Sequence, residues 1–197
     1  MKSLLESRID LKDEIAHCRK CASSLPLGPR PVFRISPHAR VLIVGQAPGK
    51  KVHQTGIPWN DPSGRRLRAW MGVSRQDFYD ENLVAIAPMG FCYPGKGERG
   101  DLPPRPECAP LWMERVVHYV NPSFILLIGH YAQKYFLKER AQANVTETVK
   151  AWQSHLPRYF VLPHPSPRNN LWLRKNLWFE EEVIPALRLQ VHRALKG

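Results

Sequence analysis

The sequence of 197 residues contains no long hydrophobic segment. No apolar run approaches the roughly 20 residues that a membrane-spanning helix requires, which argues against a membrane protein of the helical class. The opening residues, MKSLLESRIDLKDE, carry acidic side chains where a secretory signal peptide would be apolar. We therefore expect a cytoplasmic protein without membrane contact.

Acidic residues are also few relative to basic ones. The chain carries 17 Asp and Glu against 29 Lys and Arg, a formal net charge of +12 at pH 7. Basic side chains set against phosphates release condensed counterions, so this surplus favours a polyanionic partner, nucleic acid first of all. A basic protein without such a partner is the alternative. The length fits one domain, and we expect residues 1–197 to form it and to act as a monomer.

No internal repeat is visible, and the apolar segments alternate between strand-like and helix-like patterns. Strands are predicted over Val41–Val44, Leu83–Ala87, Ser123–Ile128 and Tyr159–Leu162. Helices are predicted over Ser3–His17, Arg65–Trp70, Pro110–Val120, Tyr131–Glu139 and the carboxyl-terminal segment around Leu187. This alternation predicts an α/β fold of three layers, αβα, with a central, mainly parallel four-stranded sheet.

The stretch Val41–Gly64, VLIVGQAPGKKVHQTGIPWNDPSG, joins a predicted buried strand to a polar loop. Gly45 allows a sharp turn at the carboxyl end of the strand, where open α/β sheets bind ligands. Trp59 and Asp61 follow, two residues apart. We interpret the segment as a binding loop with a candidate catalytic carboxylate; the alternative is that Asp61 simply caps the next helix.

The four cysteines occur in two pairs. Cys18 and Cys21 form a C-x2-C pair, and fifteen residues separate Cys92 from Cys108 on the Gly- and Pro-rich segment Met89–Cys108, which is predicted to be a long functional loop. Disulfides are rare in a reducing compartment, so we expect a metal site that pins the amino-terminal helix to this loop. Thiolates suit an iron–sulfur cluster or tetrahedral zinc. Four unrelated buried thiols are the alternative.

His164 follows the last predicted strand directly and opens the run HPSP. An imidazole at a strand end can donate a hydrogen bond to a ligand at neutral pH. A histidine with a purely structural role is the alternative.

Four motifs together resemble the uracil-DNA glycosylase superfamily over roughly residues 15–172. They are GQAPG, TGIPWNDPSG, the cysteine pair separated by fifteen residues, and HPSP. The cysteine arrangement is similar to the iron–sulfur branch, family four, and implies a 4Fe-4S cluster on Cys18, Cys21, Cys92 and Cys108. The DPSG segment is similar to family five and implies a catalytic role for Asp61.

The resemblance implies a DNA glycosylase that hydrolyses the bond between deoxyribose and a flipped-out base. Trp59 would stack on the base, Asp61 would orient water and offset the positive charge of the sugar, and His164 would donate to a base oxygen. Gln46 and Ala47 would face the base with their backbone amides, and His53 is a further candidate base-binding residue.

The loop after His164 is expected to contact DNA. In the superfamily this loop enters the minor groove, so Leu171 or Arg168 would serve as the wedge that displaces the base, and Ser166 and Asn169 would hold phosphates. A basic rim is expected from Lys50, Lys51, Arg65, Arg66, Arg68, Arg174 and Lys175.

Two departures leave the substrate open. Gln46 stands where family four usually has glutamate, and Pro88 stands where it has the asparagine that reads the edge of uracil. Proline offers no donor from its nitrogen or its side chain. The alternatives to uracil excision are therefore the same chemistry on another deaminated or modified base, such as a hypermodified pyrimidine of foreign DNA, and a non-catalytic, metal-containing DNA-binding protein.

Overall fold

The computed structural model describes residues 11–98 and 100–196. Its strands, in chain order, are β1 (Val41–Val44), β2 (Val84–Ile86), β3 (Lys96–Gly97), β4 (Gly100–Asp101), β5 (Phe124–Ile128) and β6 (Tyr159–Leu162). Four of them form a sheet in the order β2-β1-β5-β6, and every neighbouring pair in it is parallel. Strands β3 and β4 form a separate antiparallel hairpin.

The central strands are apolar along their whole length. All residues of β1, β2 and β5 are buried, as are the last three of β6. Strands without alternation between apolar and polar residues are typical of a parallel sheet that is covered on both faces. The layered α/β fold predicted from the sequence is thus confirmed, and the sheet of four strands is parallel throughout.

Helices connect and cover these strands. They are α1 (residues 11–16), α2 (Lys50–Thr55), α3 (Pro62–Met71), α4 (Arg75–Tyr79), α5 (Cys108–Val120), α6 (Gly129–Leu137), α7 (Val145–Lys150), α8 (Asn170–Lys175) and α9 (Ile184–Lys196). Helix α9 packs on β1 and α3, and α6 packs on β5 and β6. A π-helical turn, Phe179–Val183, leads into α9, where Pro185 occupies the second position.

The strand order explains where a ligand site should lie. The chain moves outward from β1 to β2, then crosses back over β1 to reach β5 and β6. Because such crossovers are right-handed, this reversal places the connecting helices on opposite faces of the sheet. The reversal leaves a crevice beyond the carboxyl ends of β1 and β5, where doubly wound sheets bind ligands.

Most predicted elements are present with shifted ends. Predicted helix Arg65–Trp70 starts three residues earlier, at Pro62, and the predicted long loop contains the β3–β4 hairpin. Helices α2, α4, α7 and α8 were not predicted. The predicted helix Ser3–His17 is described only from residue 11 onward, and its first part lies outside the described residues. None of the described helices is long and apolar enough to cross a membrane.

His155 is a buried histidine in the 3-10 turn Trp152–His155 before β6, and it gives rise to a stability prediction. Its side chain is 3% exposed, and among the residues that the structure describes neither ring nitrogen has a hydrogen-bond partner. Burial lowers the pKa of His155, and the positive charge of Arg140 lowers it further. Below the ordinary histidine pKa of about 6.5, the unfolded chain therefore binds a proton that the folded chain excludes. The free energy of unfolding should fall as the pH drops through this range.

We expect His155→Leu to weaken this pH dependence and to leave stability at pH 7.5 unchanged or raised, because the orphaned ring nitrogens are removed. Urea titrations of both proteins at pH 7.5 and 5.5 provide the measurement. Wild type should lose more free energy of unfolding on acidification than the variant does. Equal losses would show that His155 does not contribute to acid sensitivity.

Candidate active site

A cleft of about 440 Å³ opens at the carboxyl ends of the central strands. Segments that follow β1, β2 and β6 line it, together with the start of α3 and the β3–β4 hairpin. The structure brings these predicted site residues into its wall: Gln46, Ala47, Trp59, Asp61, His164, Ser166, Arg168 and Asn169. Residues 46 and 169, from opposite ends of the sequence, therefore face one cavity of the size that binds small ligands.

Trp59 is held in an unusual backbone conformation beside the cleft. Its φ of 55° lies in the left-handed region, which costs about 1–3 kcal/mol for a residue of this type. Gly64 makes room for it, because a Cβ on Gly64 would lie 1.7 Å from the Trp59 carbonyl oxygen. The Tyr79 hydroxyl also donates to the preceding Pro58 carbonyl at 2.9 Å. The indole lines the cleft and also packs, partly buried, against the core.

The indole of Trp59 lies against the end of β1 and beside His164. A Cβ on Gly45 would lie 2.8 Å from the indole, so this close approach requires glycine. The ring centroids of Trp59 and His164 are 5.6 Å apart, with the planes tilted by 32°. The aromatic face and the imidazole therefore belong to the same part of the cleft.

Asp61 is both a helix cap and a cleft residue. Its Oδ1 accepts a hydrogen bond from the backbone N–H of Gly64 at 2.8 Å, and α3 begins at the next residue, Pro62. Within the described part of the chain, Oδ2 accepts no hydrogen bond. The two interpretations of Asp61 are thus compatible, since one oxygen caps the helix while the carboxylate also lines the cleft.

His164 is oriented as a hydrogen-bond donor. Its Nδ1 accepts from the backbone N–H of Ser166 at 3.2 Å, so Nδ1 carries no proton and the ring hydrogen is on Nε2. Burial lowers the pKa of His164, and the negative charge of Asp61 partly opposes that shift. The imidazole is accordingly neutral at neutral pH and offers one N–H.

The predicted DNA-contact residues divide into two groups. Asn169 and Ser166 bond within the protein: the Asn169 amide donates to the His164 carbonyl at 2.7 Å, and Ser166 Oγ accepts from the Arg168 N–H at 3.2 Å. Arg168 is exposed at the rim of the cleft. Leu171, on α8, is 57% exposed and lies outside the cleft lining. A wedge role for Leu171 stays a prediction, and this exposure suits it.

His53 does not line the cleft, and a base-binding role for it has no structural support. The residue lies on α2 with 8% of its surface exposed, and its ring packs against Tyr93 at a centroid distance of 6.0 Å. Burial lowers the pKa of His53, and the positive charge of Arg30 lowers it further. The short helix α2, which the sequence pattern did not reveal, turns this side chain away from the cleft.

The sequence analysis missed the part of the cleft wall that the β3–β4 hairpin contributes. Asp101 and Leu102 line the cleft from the end of the hairpin within the segment between Cys92 and Cys108. A carboxyl oxygen of Asp101 lies 3.3 Å from where a Cβ on Gly49 would be, so the hairpin reaches the GQAPG loop. The length of the segment indicated a function, but no spacing marked these residues.

The four cysteines come together around a second, small cavity. Cys18, Cys21, Cys92 and Cys108 all line this space of about 20 Å³. Within residues 11–98 and 100–196, no three Cys, His, Asp or Glu side chains form a group that could hold a single metal ion. The Phe91 N–H donates to Cys108 Sγ at 3.3 Å. Burial raises the pKa of Cys108 to about 12 and that of Cys92 to about 11.

These features fit a thiolate-bound group. Four thiols converge from the loop after α1, the loop after β2 and the start of α5, and backbone N–H donors to sulfur are typical of cluster-binding thiolates. A bound cation would favour the thiolates that burial disfavours. The cysteines are thus candidate ligands for a group that joins three distant segments.

Comparison with known proteins identifies the family. The family model of the uracil DNA glycosylase superfamily matches residues 33–188. The chain belongs to this superfamily. The match includes the cleft segments after β1, β2 and β6, and it confirms the membership inferred from the four sequence motifs.

Three relatives within the superfamily are named type-4 uracil-DNA glycosylase. The protein of Sulfurisphaera tokodaii is 22% identical over 166 residues, which cover 79% of this chain and 69% of the relative. The protein of Saccharolobus solfataricus is 23% identical over 173 residues, which cover 79% of this chain and 74% of the relative. The protein of Archaeoglobus fulgidus is 25% identical over 174 residues, which cover 82% of this chain and 83% of the relative. These similarities extend over about four fifths of this chain.

Proposed function

We propose that this superfamily member is a monofunctional DNA glycosylase that hydrolyses the N-glycosidic bond of a flipped-out uracil or related altered base. The observation that carries the proposal is the meeting of Asp61 and His164 in one cleft, beside the indole of Trp59. A carboxylate can offset positive charge that develops on the sugar, and a neutral imidazole can donate a hydrogen bond to the departing base.

The base would be bound before it is cleaved. A duplex hides the glycosidic bond, so the target nucleotide must be flipped out at a cost of a few kcal/mol. Stacking of the base on Trp59 offsets about 1–3 kcal/mol of this cost. The Nε2–H of His164 would then donate to an oxygen of the base. This bond strengthens as negative charge develops on the departing base, so it stabilises the transition state more than the bound substrate.

Asp61 would act on the sugar and on the attacking water. As the bond from C1′ to the base nitrogen breaks, the sugar becomes positively charged, and the carboxylate offsets that charge. The same carboxylate would orient the water whose oxygen bonds to C1′. One proton of that water stays on the new C1′ hydroxyl, and the other is released and balances the proton that the departed base anion takes up. Asp61 is fixed for this task because its Oδ1 is held by the Gly64 N–H.

Pro88 supports a second candidate substrate. This residue is buried, lines the cleft after β2 and has no hydrogen-bond donor to offer. A base other than uracil, with a different pattern of donors and acceptors on its edge, is therefore the second candidate for the same hydrolysis.

For the cysteine site we propose a 4Fe-4S cluster held by Cys18, Cys21, Cys92 and Cys108, with zinc as the alternative. When bound, the cluster would cross-link the segments that carry these cysteines and leave the hydrolysis to the cleft residues. Cys92 and Cys108 bracket the segment that contributes Asp101 and Leu102 to the cleft wall, so we expect the cluster to support the site indirectly.

The proposed activity is tested with oligonucleotides that carry uracil, hypoxanthine, xanthine or modified cytosines, in single strands and duplexes. We expect abasic sites, visible as strand scission after alkali, on at least one base. Omission of the alkali should leave strands intact, because a monofunctional enzyme has no lyase step. DNA binding without turnover on any base would instead favour the non-catalytic binder.

A further inference from the structure

Arg66 lies on α3 and reaches across the molecule to the loop that carries His164. Its Nη1 donates to the carbonyl oxygens of Ser166 at 3.1 Å and Pro165 at 3.4 Å. Its Nη2 donates to Asn170 Oδ1 at 2.7 Å. One guanidinium thus joins the helix that Asp61 caps to residues about 100 positions later in the chain.

This arrangement differs from that of a phosphate-binding arginine at a surface. Arg66 is partly buried, and the fork of its guanidinium is engaged by protein acceptors on both terminal nitrogens. Lysine could not reproduce this geometry, because a single ammonium lacks the planar fork. The prediction that Arg66 belongs to a basic rim therefore does not describe its contacts.

The Pro165–Ser166 peptide group connects Arg66 to the imidazole. Its carbonyl oxygen accepts from Arg66, and its N–H donates to His164 Nδ1 at 3.2 Å. A cation at the carbonyl end polarises the peptide and strengthens its N–H as a donor, since linked hydrogen bonds reinforce one another. An N–H that points at Nδ1 excludes a proton from that nitrogen and keeps the ring hydrogen on Nε2.

We propose that Arg66 is a positioning residue that fixes both the place and the tautomer of His164 relative to Asp61. Arg66 acts through two sets of hydrogen bonds. The bonds to Ser166 and Asn170 hold the loop against α3, and the bond to Pro165 polarises the peptide that faces Nδ1. The inference rests on the proposed function only for its effect on turnover; the effect on the imidazole is independent of substrate.

Asp61, at the start of α3, is the charged group that shifts the titration of the imidazole, and its negative charge favours the protonated ring. Arg66 acts on the ring through the Pro165–Ser166 peptide group, and Arg168 lines the same cleft. Trp59 packs against the ring without a charge. Loss of Arg66 should weaken the Ser166 N–H as a donor and leave Nδ1 open to protonation. Because a hydrogen bond to Nδ1 favours the neutral ring, the pKa of His164 should rise when that bond is weakened.

The direct test is ¹⁵N NMR of histidine-labelled protein without DNA. In wild type, we expect His164 to show a single neutral tautomer with the proton on Nε2. In Arg66→Gln and Arg66→Lys, Nδ1-protonated forms should appear and the His164 pKa should rise. Asn170→Ala leaves both carbonyl contacts of Arg66 intact. It should raise the pKa of His164 by less than the Arg66 variants do. An unchanged His164 spectrum in both Arg66 variants would overturn the proposal.

Arg65→Gln is the matched control, because Arg65 is an exposed neighbour on α3 and its loss changes the net charge equally. It should leave the His164 resonances at their wild-type positions, whatever its effect on DNA binding. If Arg65→Gln shifts them as far as Arg66→Gln does, charge alone is responsible and the positioning role is wrong.

Kinetics on a cleavable base extend the test. We expect Arg66→Lys to lower kcat by about 10- to 100-fold, the scale expected when a catalytic group is misplaced by about 1 Å. KM and the slope of binding against salt should change little. A lower salt slope with unchanged kcat would assign Arg66 to a phosphate contact and overturn the proposal. If no base is cleaved, the proposed function fails while the NMR result still decides the role of Arg66.

Discussion

Asp61→Asn is expected to abolish most base excision while leaving the protein folded. Asparagine caps helices as well as aspartate does, so its side-chain oxygen can still accept from the Gly64 N–H that Asp61 Oδ1 binds at 2.8 Å. The substitution removes only the negative charge that would offset the sugar cation and orient water. We expect kcat to fall by roughly 10²–10⁴-fold, the usual contribution of such a group, in single-turnover assays of abasic-site formation.

Asp61→Ala serves as the control that separates the two roles. Alanine removes both the charge and the cap, so this variant should lose activity to a similar degree and also lose about 1 kcal/mol of stability. Thermal unfolding should therefore distinguish alanine from asparagine, while turnover should not. Near-wild-type turnover of Asp61→Asn would show that Asp61 is a helix cap alone.

The second large effect is expected at the cysteine cavity. Cys108→Ser should abolish the visible charge-transfer absorption of the purified protein and lower its Tm by about 10 °C, because a bound cluster contributes several kcal/mol to folding and a chain of this size loses about 2–4 °C per kcal/mol. Cys108 is the residue to change because it starts α5 and receives the Phe91 N–H, so it joins two of the converging segments.

Removal of the metal from wild type provides the matched comparison. Serine is nearly the same size as cysteine, so metal-free wild type and Cys108→Ser should melt at nearly the same temperature. A large difference between the two would mean that the thiol itself stabilises the fold through packing. A colourless wild type that contains zinc would support the alternative metal, and a wild type whose Tm is insensitive to metal removal would contradict the site.

The strands and the cleft were accessible from the sequence because their signals are local. Val41–Val44 and Tyr159–Leu162 were predicted with their observed ends, since short apolar runs in an α/β chain form buried parallel strands. The carboxyl ends of such strands meet at one edge, which is why Asp61 and His164 could be placed together.

What the sequence did not reveal depends on short helices and distant contacts. Helix α2 has six residues and buries only Val52 and His53, too few positions for a periodic pattern, so the direction of His53 could not be inferred. Arg66 looked like one more basic surface residue, because its three acceptors lie 99 to 104 positions away. A sequence pattern over a few neighbouring residues cannot reveal contacts between residues so far apart in the chain.

The segment between Cys92 and Cys108 has a consequence for how this fold can diversify. Its two ends are secured at the cysteine cavity, whereas its tip, with Asp101 and Leu102, forms part of the ligand-facing wall. The residues at the cysteine cavity and the residues of the cleft wall are thus separate within one short stretch. Exchange of the tip alone between homologous enzymes is therefore a route by which evolution, or a protein engineer, could retarget the cleft without rebuilding the sheet beneath it.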